Sequence, residues 1–542
     1  MSNLQMSDIT LKSVNIESGN FSVLESKDEL ITTAVINLIA SDSRLHKYCK
    51  SVFVESPYYD REYLSTYYTF FSRKFRSYPK ECCRLLFFSK EVTNSDDVAN
   101  NAEDILSEVD NQSFLGFATI IPTSGKTQIS RVVVRATPVD ENDPISGYNV
   151  IKYKTKVHCL GHEFYVEGFE SLKQVGPCVC GHAAFWGIAA HHSQWRSYSA
   201  MLAGDIDKIL REDISNGFAM GVTANQLSQL ICKSGSTPIM RSAKKYDEKK
   251  GLLCEICSYL DSRIPVLLLF DDALHVVVAV GNDEFSVGLN RIPWKNKPAL
   301  YESKKNDVAD EKDTDAVDAV TKRLLANKIQ DVIIIDDNNF SFTKLEFSGN
   351  ESEQGKQDKN ILTLSGITGF IVPMYPRVNL QYRHIVEIIA ELLHGTKSDD
   401  NKNGCTFFEA KERQKWITHL NVNSECDIRI FLTSSNSYKE YLLHEEKQSV
   451  PMKWDESIGR ELRRMRFKNM PKMIWCVEFS NPYTSEVTGS IIFDSTASPD
   501  EGLKQVVVCS FGKYGAKSAD QLNKCQNVIS QDVRIGRFRY IE

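Results

Sequence analysis

Apolar residues in this chain arrive in short runs bounded by turn residues, not in long uninterrupted stretches. Runs rich in Val, Ile, Leu and Phe predict strands at Cys83–Phe88, Phe114–Ile121, Gln128–Arg135, Arg263–Phe270, Leu274–Gly281 and Gln330–Asp336. Further strands are predicted at Leu362–Pro373, Asp427–Leu432, Met473–Phe479, Thr488–Asp494 and Gln505–Cys509. Helical spacing marks Asp28–Ser41, the aromatic-rich Tyr59–Phe75, Leu252–Leu260, Val378–Leu393 and the basic stretch Arg460–Lys468. A further helix begins at Cys180, where Gly181, Ala183, Ala184, Gly187, Ala189 and Ala190 leave room for close packing. Helices and strands in this mixture predict an α+β class.

Three domains fit this spacing over 542 residues. Residues 1–155 are expected to form an N-terminal α/β domain for binding or regulation. Its order of two helices then consecutive strands resembles half of an acetyltransferase fold, yet Arg135–Glu141 lacks the glycine-rich turn such enzymes use for pyrophosphate. Residues 156–376 form a central domain, with a charged insertion near 296–328 expected to be a solvated loop. Residues 377–542 form a C-terminal α+β domain in which no catalytic constellation is visible. Residues 94–112, 356–360 and 396–404 read as surface segments, and Arg460–Lys468 as a solvated helix face.

The chemistry concentrates in the centre. Gln174 precedes Cys180 by six residues, with the cysteine at the start of a helix. A helix N-terminus favours anions through its dipole and its unpaired N–H groups. The intervening turn allows the Gln174 amide and the Cys180 N–H to converge on a developing oxyanion. His275 heads an apolar strand, and another strand ends in Asp336-Asp337-Asn338-Asn339. A carboxylate there can accept the second ring N–H of His275 and fix its tautomer, a role read here for Asp336 in preference to Asp337.

The order Gln174, Cys180, His275, Asp336 resembles papain-like cysteine peptidases, and most nearly the bacterial peptidases that cleave double-glycine leaders. Those carry a Gln upstream of Asp-Cys-Gly-x-Ala, a His at the head of a hydrophobic strand, and a strand ending Asp-Pro. The resemblance spans roughly residues 165–345 and implies a papain-like central domain. It implies Cys180 as nucleophile, His275 as base, Asp336 as orienter and Gln174 as oxyanion donor. Val179 stands where that family has an acidic residue, and Asp337 where it has proline. The expected activity is peptide-bond hydrolysis on a protein or peptide substrate. A thiol acyltransferase or amidase with the same residues, or an inactive papain-like scaffold, are the alternatives.

A metal reading competes at the same place, because Cys178, Cys180 and His182, with His158, Cys159 and His162 upstream, include zinc-ligand types. Their Cys-x-Cys-x-His spacing departs from the usual structural zinc pattern, so no metal and no other cofactor is expected. Cys254 and Cys257 sit in an apolar helical pattern and are expected to pack in a core.

Composition narrows the setting. Hydrophobic content of 42% with 25% charged residues is that of a globular domain, and a net charge of −6 leaves no footprint for nucleic acid or a membrane surface. Fourteen cysteines without a framework spacing suit a reducing cytoplasm. The N-terminus lacks the features of a signal peptide and no apolar run approaches a membrane span, so a cytoplasmic protein is expected, with any regulatory partner engaged through the flanking domains.

Overall fold

The computed structural model describes residues 10–16, 19–25, 35, 38–91, 106–123, 126–174, 179–212, 221–243, 249–270, 275–283, 316–324, 329, 331–346, 362–394, 417, 426–448, 466–480, 487–499, 506–511 and 528–530. The segments 175–178, 271–274, 296–315, 356–360, 396–404 and 460–465 lie outside them, and with them Cys178 and most of the expected charged insertion. The chain is α+β and divides into two compact units. Unit 1 comprises Met1–Lys244, Pro265–Gly281 and Asp331–Pro373; unit 2 comprises Lys245–Ile264, Asn282–Gln330 and Met374–Glu542.

Unit 1 begins with β1 (Thr10–Ile16), β2 (Gly19–Glu25), the short helix α1 (Ser43–Tyr48), β3 (Ser51–Tyr58) and α2 (Arg61–Thr69). The sheet continues through β4 (Cys82–Phe88), β5 (Phe114–Thr123) and β6 (Lys126–Val134). After β7 (Tyr148–Val150), a hairpin of β8 (Tyr153–Cys159) and β9 (His162–Gly168) leads to β10 (Ser171–Leu172). The first sheet has the order β1-β2-β3-β4-β5-β6-β10, antiparallel except for the β2–β3 pair. The expected boundary at 155/156 therefore falls inside β8, and residues 1–155 share a unit with Cys180.

The helix α3 (Cys180–Arg196) follows, then α4 (Ala203–Glu212), α5 (Ala224–Lys233) and β11 (Thr237–Ser242). The second sheet adds β12 (Val266–Phe270), β13 (His275–Asp283), β14 (Asp331–Ile335), β15 (Phe342–Glu346) and β16 (Gly369–Met374), in the order β11-β16-β12-β13-β14-β15 with β7 beside β13. Its central strands have leucine, valine and isoleucine on both faces because both faces are covered: Leu267, Leu268, Ala279, Val280, Ile333 and Ile371 are fully buried. The 12–13 and 12–16 pairs are antiparallel.

A Cβ on Gly187 would lie 3.1 Å from the Phe169 ring and 3.2 Å from the Glu170 carbonyl, so its absence lets α3 approach the chain leading to β10. Charge ties the same helix down. Trp186 Nε1 and the Ala203 N–H both donate to Glu62 Oε2 at 2.9 Å, so α2 anchors α3 and the start of α4. Glu170 accepts from Arg131 at 2.8 Å and from Thr155 Oγ1 at 2.8 Å, while Arg131 also lies 3.5 Å from Asp60. Burial pushes the Glu62 carboxyl up, against the Ala203 N–H and the Arg61 and Arg131 charges.

Unit 2 contains α6 (Lys249–Asp261), α7 (Ala316–Arg323), α8 (Tyr382–His394) and α9 (Ser435–Gln448). Its sheet is β17 (Asp427–Ser434), β18 (Met473–Ser480), β19 (Val487–Asp494), β20 (Val506–Phe511) and β21 (Val528–Ser530), in that order. Helix α6 meets β17 through Ser258 Oγ, 2.6 Å from the Ile430 carbonyl, and through Asp261, which accepts from Arg429 Nε at 3.0 Å. Cys254 and Cys257 are buried in α6. No helix among the described residues is long and apolar enough to cross a membrane.

A fragment beginning at residue 156 removes Arg131, Asp60 and Glu62 while retaining Glu170, Trp186 and Ala203. Breaking one buried ion pair by deleting its partner typically costs about 3–5 kcal/mol. We predict that residues 156–376 expressed alone lack cooperative unfolding by circular dichroism and near-ultraviolet signal; a sharp transition from that fragment would show the first sheet to be dispensable.

Candidate active site

Three element ends meet in unit 1. Cys180 is the first residue of α3, His275 is the first residue of β13, and Asp336 follows the last residue of β14. Each apolar run fixes its terminal residue in place while leaving that side chain outside the run itself. The register pairs His275 with Phe270 across the hairpin, and Ala183, Ala184 and Gly187 of α3 share the lining of one small cavity with Val276, Val278 and Ile335.

Asp336 Oδ1 lies 2.8 Å from His275 Nε2, and Asp337 Oδ1 lies 3.5 Å from the same nitrogen. The Cys180 thiol hydrogen-bonds the ring as well. The hydrogen bond to Asp336 is the largest influence on the ring, the bond to Cys180 the next, and together they overcome burial and push its pKa up to about 10. Burial raises the Asp336 carboxyl, but the bonds from His275 and the Asn338 N–H outweigh it and hold the group below its usual range.

The adjacent aspartates divide. Asp336 is fixed by the Asn338 N–H at 3.0 Å on Oδ1 and by Asn339 Nδ2 at 2.9 Å on Oδ2. Asp337 instead hydrogen-bonds the Gln174 side chain, and burial pushes its carboxyl up. Asp-Asp-Asn-Asn is thus a turn in the ordinary sense, with side chains closing on the backbone two residues ahead, and it is also the seat of the His275 partner. Gln174 is exposed, and the chain between it and Val179 is outside the described residues.

Helix α3 starts without a side-chain cap at Val179 and without an acidic residue in its first turn. The first intrahelical bond runs from the Ala183 N–H to the Val179 carbonyl at 3.1 Å, so the preceding N–H groups point out of the helix at Cys180. No acidic side chain of that turn competes with an anion there.

Among the described residues, those weighed for zinc form no group within metal-binding reach, and Cys178 lies outside the described residues. Cys159 and His182 are buried in β8 and α3, and His158 is exposed. Among the described residues the grouping within metal-binding reach is His275, Asp336 and Asp337, whose donor atoms lie within 4.8 Å of one another. Their donors are paired with one another, with Cys180 and with Gln174.

Sequence reasoning passed over Asn338 and Asn339 as side-chain partners, the Gln174–Asp337 bond, and Lys173. The two asparagines were findable, since Asx residues after a strand bond to nearby backbone and side chains. The others join segments more than a hundred and fifty residues apart, which no local pattern reports. Comparison of the chain with protein-family models, with curated proteins and with solved structures gives no match.

The raised His275 pKa has a definite sign. It contributes stability that is fully present below the unfolded value of 6.5 and is lost as pH rises towards about 10. NMR of the ring should show an imidazolium persisting through pH 8, with Asp336→Asn returning its titration towards 6.5 and Cys180→Ala producing a smaller drop. The stability gap between wild type and Asp336→Asn should then shrink between pH 6.5 and 10. A wild-type ring that titrates near 6.5 refutes the arrangement.

Proposed function

We propose that this chain is a cytoplasmic cysteine peptidase, a thiol hydrolase whose central domain is papain-like. The observation that carries the proposal is a single imidazole held between a buried carboxylate and a thiol at a helix start. A helix beginning at the thiol, with His275 and Asp336 at the ends of neighbouring strands of one sheet, supports the papain-like reading.

The chemistry follows from these contacts. Cys180 and His275 act as a thiolate–imidazolium pair, the proton resting on the ring and the imidazolium held by Asp336. The thiolate attacks the scissile carbonyl carbon, forming a C–S bond and moving the carbonyl electrons onto oxygen. That oxyanion is received by the N–H groups at the start of α3 and by the Gln174 amide. An ionised Asp337 accepts one Gln174 N–H and leaves the second for the substrate. His275 then protonates the departing amine as the C–N bond breaks, leaving a thioester on Cys180. Water, deprotonated by His275, attacks the thioester, releases the carboxylic acid product and restores the thiolate–imidazolium pair. No metal or organic cofactor takes part in these steps.

Each residue has a distinct expected signature. Iodoacetamide should label Cys180 faster than the other cysteines below pH 7, as read by peptide mass spectrometry, and His275→Ala should abolish that advantage. Gln174→Ala should lower turnover of a peptide substrate by ~10²–10³ while leaving alkylation intact, because it acts on the oxyanion and not on the thiol. Labelling of Cys180 no faster than that of its neighbours would turn the reading to an inactive scaffold. Transfer of the acyl group to an amine in place of water would turn it to an acyltransferase.

A further inference from the structure

Lys173 is a buried cation beside this site, and the mechanism above makes no use of it. It follows β10 directly and precedes Gln174. Its backbone N–H donates to the Ser130 carbonyl at 2.8 Å, extending the β6–β10 pairing by one step and fixing the main chain to the first sheet. Its side chain crosses to the second sheet. There Nζ donates to the Asp336 carbonyl at 3.0 Å and to the Asn339 carbonyl. Those two carbonyls bracket the turn that carries both aspartates.

An ammonium in such a place is not a packing choice. Burial pushes it down to about 8, and the carboxylates of Asp337, Asp336 and Asp42 pull the other way. A methionine or leucine would fill similar space without desolvating a charge, so the lysine is retained at a cost that its hydrogen bonds and charge partners must offset. Asp42 belongs to the same arrangement, since it accepts from Ser341 Oγ just beyond the turn and caps α1 through the Arg44 and Leu45 N–H groups. Two consecutive residues thereby hold two consecutive residues: Lys173 grips the backbone of the 336–339 turn, and Gln174 bonds the Asp337 side chain.

We propose that Lys173 is the positioning residue of the Asp336–His275 pair, its ammonium holding the 336–339 turn so that Asp336 Oδ1 meets His275 Nε2. The role rests on the thiol-hydrolase reading for its catalytic meaning, but the geometry it sets can be measured without catalysis. Lys173 touches no reacting atom in this role; it acts through Asp336.

The sign of one titration separates positioning from simple electrostatics. Removing a nearby cation, with the geometry unchanged, favours the imidazolium and raises the His275 pKa. Loosening the turn weakens the Asp336 bond and lowers it. The test is NMR titration of the His275 ring in the full chain for wild type, Lys173→Met and Lys173→Arg, with thermal unfolding recorded for each. The expected result is an increase of about tenfold in the His275 acid dissociation constant for Lys173→Met, one pKa unit downward, with Lys173→Arg close to wild type. Lys173→Gln, which keeps a donor without the charge, stands in where the methionine variant does not fold, and an intermediate increase is expected. A His275 pKa in Lys173→Met or Lys173→Gln that is unchanged or raised overturns the proposal. Cys180 alkylation measured in the same samples keeps the two ideas apart. Wild-type labelling that ignores His275 sinks the hydrolase reading, while the ring titration still decides the role of Lys173.

Discussion

An imidazole ring can serve two partners at once, and in this molecule it bonds both a carboxylate and a thiol. His275 Nε2 faces Asp336 at 2.8 Å, and the ring also meets the Cys180 thiol. This arrangement constrains the elements around it, because the three side chains sit at the ends of α3, β13 and β14. A one-residue slip of β13 would turn His275 to the opposite face of the sheet and set each buried side chain behind it into a close-packed space shaped for its neighbour. The hydrophobic register of Val276–Val280 and the placement of the ring are therefore one constraint, and the core enforces it.

The helix side of the site is held by a different force. Glu62, Arg131, Glu170 and Asp60 form buried polar contacts around α3, and Trp186 donates into that group from the middle of the helix. Apolar packing alone would let a helix lined with Ala183, Ala184, Gly187 and Ala189 slide, since small residues present little relief to a neighbouring surface. Directional bonds to an indole N–H and to a backbone N–H at the start of α4 stop such sliding. Buried charges of this kind add little net stability, but they penalise every arrangement in which they lose a partner. That penalty suits a helix whose first residue must face a particular ring.

Much of the strand content was legible because β-branched runs bounded by turns have few other folds. Val266–Phe270, Asp331–Ile335 and Met473–Ser480 all lie where their apolar runs put them. The β8–β9 hairpin was not read, although Tyr153–Cys159 alternates buried and exposed positions along its length. Lys154, Lys156 and His158 on its outer face resemble a polar linker, and a domain boundary was expected there. Short strands such as Ser171–Leu172 carry no periodicity at all, yet this one leads directly to Gln174. Within the site, the residue types and their order were visible. Asp336 was preferred to Asp337, but what separates them was not visible, because neighbouring residues of identical chemistry differ only in the direction their side chains take, and Asn338 and Asn339 hold the Asp336 carboxylate.

Those two departures from the leader-peptidase pattern, Val179 and Asp337, have a common electrostatic sense. An acidic residue at position 179 would sit at the N-terminus of α3 and compete with a Cys180 thiolate for the same N–H groups and the same end of the helix dipole. Valine there makes no side-chain cap and carries no charge. At the other side of the site, aspartate in place of proline adds a carboxyl that bonds Gln174, which proline could not do. The first turn of α3 thus carries no acidic side chain, while a carboxyl stands beside the amide. On the proposed chemistry this exchange lets Gln174 be oriented by a neighbour, while the anion that must form at Cys180 meets the helix terminus and the imidazolium. It also explains why a buried lysine stands one residue before Gln174: two adjacent carboxyls at 336 and 337 repel each other unless a cation shares their surroundings, and Lys173 is close enough to both to be pulled by them.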